Sequence, residues 1–493
     1  DANAGVINMN QLAQTDNSGN TLTLNTNSSG TATIVNATAV NLAAGTVGGA
    51  TSITATIGNI IDAGTFTVSA GGATFVTGAN DATISLDSLA VTGGITLTTN
   101  DASGADADAT IVNATAFAFG ASTVDGDLIA TATTGAITQS GALTVGGTGT
   151  FVTSQNDQAI TLSTTSNAIT GQVAFTTNTA ANAGSGAGNV TFDNGVLDVV
   201  FGASTIDGNL VVISGNVSGI TDNGIVTVDA DVSLTTDANA GVINMNQLAQ
   251  TDNSNNTLLL NTNGTGTATI VNATAVNLAA NTAVGGATSI TATAGNIIDA
   301  GTFTVSAGGA TFVTGANDAT ISLDSLAVTG GITLTTNDAS GADADATIVN
   351  ATAFAFGAST VDGDLIATAT TGAITQSGAL TVGGTGTFVT SQNDQAITLS
   401  TTSNAITGQV AFTTNTAANA GSGAGNVTFD NGVLDVVFGA STIDGNLVVI
   451  SGNVSGITDN GIVTVDADVS LTTDANAGVI NMNQLAQTDN SGN

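Results

Sequence analysis

The sequence lacks most of the residue types on which protein chemistry usually depends. Its 493 residues include no lysine, arginine or histidine, and no cysteine, proline, tryptophan or tyrosine. All 36 acidic residues are aspartate, so the formal net charge is −36 at pH 7. Internal salt bridges are therefore excluded, and nucleic-acid binding is not expected because nothing can neutralise phosphate. The absence of cysteine excludes disulfides and thiol chemistry.

The same absences argue against catalysis. Of the usual catalytic side chains only Asp, Ser and Thr remain, and a serine nucleophile would have no basic partner to activate it. A pair of aspartates is formally able to hydrolyse a glycosidic bond, but such a site would recur in every copy of the repeats described below. We therefore expect no enzymatic activity.

The residues that do occur are mostly small or β-branched. Hydrophobic residues make up 42% of the chain and charged residues only 7%, which is too apolar a composition for a disordered tail. Thr, Val, Ile and Phe favour strands, whereas Gly, Asn and Asp favour turns. No apolar run reaches the length of about 18 residues that indicates a membrane-spanning helix, and no signal peptide is recognisable. The composition favours a secreted all-β protein outside the cell.

The chain is built from long repeats. Its first twenty residues, DANAGVINMNQLAQTDNSGN, return unchanged at 474–493 and with one substitution from Asp237. Long repeats therefore cover 1–236 and 237–473, and a partial third covers 474–493. The second copy has one extra residue near Ala283, which we expect at a corner where it leaves strand register intact. Leu259 replaces Thr23, and we expect it on the outer face of its strand.

A shorter unit of about 79 residues recurs three times within each long repeat. The opening FGASTVDGDL (119–128) returns as FGASTIDGNL (201–210), and a looser form begins at Leu42. These openings define sub-units that share apolar stretches of period two, the strand signature, separated by Gly, Asn and Asp. The sub-units are 42–118, 119–200, 201–277, 278–355 and 356–437.

This organisation predicts one continuous rod over 1–493, folded as a parallel β-solenoid. A three-sided rung takes about 20 residues, which gives four rungs per sub-unit and about twelve per long repeat. Three other all-β architectures fit less well. Immunoglobulin-like sandwiches would need linkers between the units. A curli-like amyloid would need its Gln/Asn-spaced signature, and a trimeric adhesin stalk would need heptad repeats. The sequence has none of these features.

The stretch GALTVGGTGTFVTSQNDQAITLSTTSNAITGQVAFTT (141–177) resembles the repeat regions of filamentous-haemagglutinin-like large exoproteins and of giant bacterial adhesins. The likeness is one of repeat style and covers the whole chain. It implies a right-handed parallel β-helix that is secreted and displayed at a bacterial cell surface. The function expected is that of a structural extracellular filament, sheath or biofilm-matrix component that associates with copies of itself. The alternative is the stalk of a giant surface adhesin that contacts cells or matrix.

Two groups of aspartates are the candidate metal ligands. Asp101, Asp106 and Asp108 lie in NDASGADADAT (100–110), and Asp125 and Asp127 lie in VDGD (124–127). Carboxylate oxygens suit Ca²⁺ or Mg²⁺, but neither an EF-hand loop nor a tandem G-G-x-G-x-D series is present. The competing interpretation is that these residues are solvated turn residues and that no cofactor is bound. Asn-x-Thr sequons at 36–38 and 189–191 are expected by chance in so Asn- and Thr-rich a chain.

Overall fold

The computed structural model describes residues 3–15, 17–100, 106–177, 186–251, 255–337, 343–414 and 423–488. Within these ranges every regular element is a β-strand, and strands of successive turns pair in parallel. The chain forms about 20 turns of roughly 22 residues, which confirms the predicted β-solenoid. None of the described residues forms a helix long and apolar enough to cross a membrane.

A typical turn consists of one flat strand and one bent pair of short strands. In one turn the flat strand is Thr51–Ala55, and the bent pair is Ile60–Asp62 with Phe66–Val68, separated by a three-residue corner. The first, third and fifth residues of the flat strand are buried and the second and fourth face outward, as period two predicts. Three strands per turn agree with the predicted three sides.

The chain divides into two compact units, of which the first is Asp1–Asp252. It begins with the strand Ile7–Leu12. Its flat strands are Ala32–Asn36, Thr51–Ala55, Ala73–Thr77, Gly94–Thr98, Ala109–Asn113, Leu128–Ala132, Gly149–Thr153, Val173–Thr176, Val190–Asp193, Leu210–Ser214 and Val232–Asn239. Its bent pairs, two of them fused into single strands, are Val40–Leu42 with Gly45–Val47, Ile60–Asp62 with Phe66–Val68, Ile84–Val91 (fused), Phe117–Phe119 with Ser122–Val124, Ile137–Gln139 with Leu143–Val145, Ile160–Leu162 with Ala168–Ile169, Val199–Phe201 with Ser204–Ile206, Ile220–Asp222 with Val226–Val228, and Ile243–Gln250 (fused).

The second unit, Asn253–Asn493, is built in the same way. Its flat strands are Leu258–Asn263, Ala268–Asn272, Thr288–Ala292, Ala310–Thr314, Gly331–Thr335, Ala346–Asn350, Leu365–Ala369, Gly386–Thr390, Val410–Thr413, Val427–Asp430, Leu447–Ser451 and Val469–Thr473. Its bent pairs are Val276–Leu278 with Thr282–Val284, Ile297–Asp299 with Phe303–Val305, Ile321–Val328 (fused), Phe354–Phe356 with Ser359–Val361, Ile374–Gln376 with Leu380–Val382, Ile397–Leu399 with Ala405–Ile406, Val436–Phe438 with Ser441–Ile443, Ile457–Asp459 with Val463–Val465, and Ile480–Asn481 with Leu485–Gln487.

Flat strands come in groups, and each change of group inserts half a turn. Gly94–Thr98 is followed directly by another flat strand, Ala109–Asn113, with no bent pair between them. As a result Ala109–Asn113 stacks on the fused pair Ile84–Val91, whereas the pair that begins at Phe117 stacks on Gly94–Thr98. We call this change of wall a crossover. Four flat strands and three bent pairs make three and a half turns, not the predicted four, because a turn takes roughly 22 residues and not 20.

The interior consists of columns of apolar side chains that continue from turn to turn. The largest fully buried side chains are all phenylalanines. In the first unit, the rings of Phe151 and Phe175 stack with centroids 5.7 Å apart, and Phe201 meets Phe175 edge-on at 6.2 Å. Such pairs each contribute about 0.5–1.5 kcal/mol beyond the burial of their area.

The differences between the two copies lie where the strand pattern allows them. Leu258 and Leu260 are buried, whereas Leu259 faces outward and is half-buried, as the alternation predicts. The inserted residue is Asn281, which lies in the corner before Thr282–Val284 with a φ of 65°. Asparagine tolerates this left-handed conformation better than most residues. Register is kept beyond the corner, because Ala283 pairs with Thr304.

Candidate functional sites

Two of the candidate metal ligands, Asp108 and Asp127, belong to a hydrogen-bonded ladder. Asp108 and Asp127 occupy the position just before successive flat strands. The carboxylate Oδ1 of Asp108 accepts a hydrogen bond from the backbone N–H of Asp127 at 2.7 Å. Oδ1 of Asp127 in turn accepts one from the N–H of Thr148 at 2.6 Å. Each carboxylate therefore satisfies a backbone donor of the next turn.

The other candidates do not complete a metal site. Asp101 lies outside the described residues. Asp106 is exposed, and its backbone carbonyl accepts a bond from the N–H of Asp108 at 3.0 Å. The N–H of Asp125 donates to the hydroxyl of Thr99 at 2.9 Å. Across the described ranges, no group of three or more acidic residues is placed to hold a metal ion.

Asparagine performs the same task in the next group of strands. Asn189 and Asn209 stand at the positions of Asp108 and Asp127. Oδ1 of Asn189 accepts from the N–H of Asn209 at 2.8 Å, and Oδ1 of Asn209 accepts from the N–H of Asp231 at 3.0 Å. We call this column of Asp and Asn side chains the Asx ladder. Because a neutral amide serves as well as a carboxylate, the ladder requires an acceptor oxygen and not a charge.

A second kind of aspartate, not singled out from the sequence, lies at the end of the first strand of a bent pair. The carboxylate of Asp62 accepts bonds from the N–H groups of Asp87 (3.2 Å) and Ser88 (2.9 Å) in the next turn. Burial raises the pKa of Asp62, the two N–H donors oppose that rise, and the nearby Asp87 carboxylate adds to it. The pKa of Asp299 in the second unit is raised for the same reasons, chiefly burial.

The asparagine of the first sequon, Asn36, is fully buried and therefore not accessible for glycosylation. Asn113, at the equivalent place in the next group, is also fully buried and holds a crossover together. Its Oδ1 accepts the N–H of Val91 at 2.8 Å, and its Nδ2 donates to the carbonyls of Val91 and Thr115, both at 2.9 Å. Glycosylation of these asparagines would be incompatible with the fold.

Other crossovers use an asparagine in the same way. Asn194 bonds both the N–H and the C=O of Ile169, each at 2.9 Å. In the second unit, Asn350 bonds both backbone groups of Val328 at 2.8 and 3.0 Å. We call these side chains crossover asparagines. The recurring segment TIVNATA carries the signal for Asn113 and Asn350, whereas Asn194 lies in the different segment VTFDNGV.

Exposed valines form a ridge at one corner of the turns. Val196 and Val217 lie at the same corner of successive turns, since the side chain of Asn216 donates to the carbonyl of Val196 at 3.1 Å. Val433 and Val454 repeat the arrangement in the second unit, where Asn453 donates to Val433. These four side chains are 61–76% exposed and are called the valine ridges below. Neighbouring exposed apolar side chains of this kind are candidates for a contact surface.

Comparison with known families identifies the group of strands as a repeat unit. A protein-family model described as repeats of unknown function (DUF5649) matches residues 106–176, 343–413 and 424–491. The first match begins just before the flat strand Ala109–Asn113 and ends with Val173–Thr176, which is one group of three and a half turns. These matches and the β-solenoid fold together fit a repeat-built β-helix protein. No curated protein and no solved structure matches the chain.

Proposed function

We propose that this chain is a structural component of an extracellular fibre, sheath or matrix, and that it works by associating with copies of itself and not by catalysis. The observation that carries the proposal is the recurrence of the valine ridges in both units. The resemblance to filamentous-haemagglutinin-like exoproteins supports a place outside the cell.

The physics of the surface sets the conditions for association. Full burial of a valine side chain contributes about 1.5–3 kcal/mol, so two ridges offer a weak but repeated contact. The net charge of −36 opposes it. Repulsion reaches about 30 Å at 0.01 M salt and only about 8 Å at 0.15 M. Association should therefore be absent at low ionic strength and should increase with salt.

The test is sedimentation velocity and negative-stain microscopy of the full chain across ionic strength. The informative variant replaces all four valines of the ridges (Val196→Asp, Val217→Asp, Val433→Asp, Val454→Asp). The matched control replaces four other exposed residues with the same charge change (Ile129→Asp, Ile225→Asp, Ile366→Asp, Ile462→Asp). The parent and the control should form larger species as salt rises, and the ridge variant should stay monomeric.

The same solenoid would serve as the stalk of a giant adhesin, and the experiment separates the two functions. A parent chain that stays monomeric at every concentration and ionic strength would refute self-association and favour the stalk. Equal association of the parent and the ridge variant would show that the valines are not the contact.

A further inference from the structure

A groove runs along the solvent face of the first group of flat strands in each unit. In the unit Asp1–Asp252 its volume is about 540 Å³, and in the other unit an equivalent groove has about 550 Å³. Turns of a parallel sheet are about 4.8 Å apart. The six turns that line the first groove, from Thr31 to Ser140, therefore span roughly 24 Å. A groove of this length suits a linear polymer better than a small molecule.

The floor of the groove is formed by the residues just before the flat strands, a position that carries the Asx ladder in the later groups. Strand register places Ala50, Gly72 and Gly94 in one column, one above the other. In the next group, on the other wall, the equivalent position holds Asp108 and Asp127, whose side chains cover it. A Cβ at Gly94 would meet nothing closer than the carbonyl of Ala118 at 3.4 Å, whereas a Cβ at Gly72 would lie 2.8 Å from the carbonyl oxygen of Gly94. Packing therefore favours glycine at Gly72 but not at Gly94, and no side chain covers the column at either position.

Without Asp or Asn side chains at this position, the backbone N–H groups of the following turns have no acceptor in the described part of the chain. The N–H groups of Ala50 and Gly72 correspond to the ladder donors of Asp127 and Thr148, and no acceptor for them is found among the described residues. Because Ala50 is exposed and Gly72 is half-buried, a ligand in the groove can reach these donors.

A row of hydroxyl groups borders the open column. Thr33, Ser52, Thr74 and Thr96 pair in register along four successive flat strands and face outward. Their side chains make no hydrogen bond to the described part of the chain. A hydroxyl both donates and accepts, so the row offers paired contacts at the spacing of the turns. None of the residues lining either groove is charged.

We propose that these two grooves bind a neutral, hydroxyl-rich polysaccharide chain. An acidic polysaccharide or a nucleic acid would be repelled by a chain of net charge −36 without a cation. A metal ion would find no carboxylate in the groove, and an apolar ligand would leave the hydroxyls and N–H groups unpaired. A sugar polymer presents hydroxyls at regular intervals, which matches both the hydroxyl row and the unpaired donors of the floor.

The test is isothermal titration calorimetry of the full chain against cellohexaose, laminarihexaose and dextran, with polygalacturonate as the acidic comparator. Two variants target the groove. Ala50→Asn/Ala287→Asn restores the ladder in the exposed column, as Asn209 does elsewhere, and should fold at least as well as the parent. Thr74→Val/Thr311→Val removes one hydroxyl from each row and keeps the strand-favouring shape. The control, Ala203→Asn/Ala440→Asn, changes exposed alanines at a distant corner.

We expect at least one neutral saccharide to bind, with two sites per chain. Ala50→Asn/Ala287→Asn should weaken that binding at least tenfold, Thr74→Val/Thr311→Val about three- to tenfold, and the control not at all. Thermal melting of each variant identifies any loss caused by unfolding. The proposal is overturned if no neutral saccharide binds at millimolar concentration, if polygalacturonate binds equally well, or if the asparagine variant keeps full affinity. It is also overturned if that variant changes only self-association, since a second copy would then occupy the groove.

Discussion

The crossover asparagines allow the fold to be tested at single atoms. At one crossover in each unit, the flat strand Ala109–Asn113 or Ala346–Asn350 stacks on a fused bent pair that has one extra residue. The side chain of Asn113 or Asn350 supplies the bonds that the ladder lacks there. The perturbation is the double substitution Asn113→Ala/Asn350→Ala, which leaves the strands intact and removes only these bonds.

The expected cost follows from the groups that lose their partners. The N–H of Val91 loses the acceptor Oδ1 of Asn113, which lies 2.8 Å away in a fully buried site. The carbonyl of Thr115 loses its donor, whereas the carbonyl of Val91 still accepts from the Thr115 hydroxyl. An orphaned buried group costs about 1–3 kcal/mol, so we expect about 2–4 kcal/mol per crossover. Local opening should then be about 30- to 700-fold more frequent, since 1.4 kcal/mol is tenfold.

Backbone hydrogen exchange measured by mass spectrometry reads this opening directly. The informative peptide is 86–98, whose sequence is identical to that of 323–335. Because the two peptides have the same mass, both asparagines must be replaced together for one exchange rate to report on both. The control is Asn223→Ala/Asn460→Ala, in which two exposed asparagines are changed. Protection within about threefold of the parent in the crossover variant would refute the argument, since 1.4 kcal/mol is tenfold.

Three further predictions follow from the aspartates. The pKa values of Asp62 and Asp299 are raised in the folded state, so protonation of these two carboxylates stabilises the fold. This stabilisation is lost as pH rises through the folded pKa. The thermal midpoint should therefore rise as pH falls from 7 toward the ordinary pKa of 3.8. Asp87→Asn/Asp324→Asn should lessen that dependence by removing the neighbouring carboxylate; a parent curve that falls monotonically with acid would contradict the assignment. Asp127→Asn/Asp364→Asn should leave the midpoint unchanged and Asp127→Ala/Asp364→Ala should lower it, because the ladder needs an acceptor for the N–H of Thr148 and of Thr385; equal midpoints for both variants would be evidence against the ladder. Calcium at millimolar concentration should not shift the parent midpoint, since Asp108 and Asp127 already bind backbone donors; a shift of several degrees would indicate a specific site.

Most of the fold could be predicted because it is repeated. The alternation of apolar and polar residues within single strands predicts the strand period, the parallel stacking and the outward placement of Leu259. This alternation recurs in every repeat. The half turn could not be predicted, since it depends on the length of a turn, and corners vary. Ile160 pairs with Val190 thirty residues on, whereas Ala32 pairs with Thr51 nineteen residues on. A mean turn length of 20 residues and one of roughly 22 residues predict the same strands, but they assign those strands to different walls of the solenoid.

The functional surfaces were harder to find because they depend on which residues share a column. Asp108 and Asp127 appear as an acidic cluster in the sequence, but register spreads them over successive turns, where each accepts a backbone N–H. The valine ridges are even harder to recognise in the sequence, since Val196 and Val217 are 21 residues apart and resemble the valines of ordinary strands. Only the turn length, which the sequence does not state, brings them to one corner.

One position in the turn therefore carries three different surfaces on the same backbone. The position before the flat strand holds Asp108 and Asp127 in one group, Asn189 and Asn209 in the next, and Ala50 and Gly72 in the first. The first two choices close the column by satisfying the donors of the following turn. The third leaves those donors open beside a row of hydroxyls, although nothing in the strand pairing differs. A structural role alone would be met equally well by a ladder in every group. Its omission over several consecutive turns, at the same place in both units, is what separates a scaffold with a binding face from a scaffold alone.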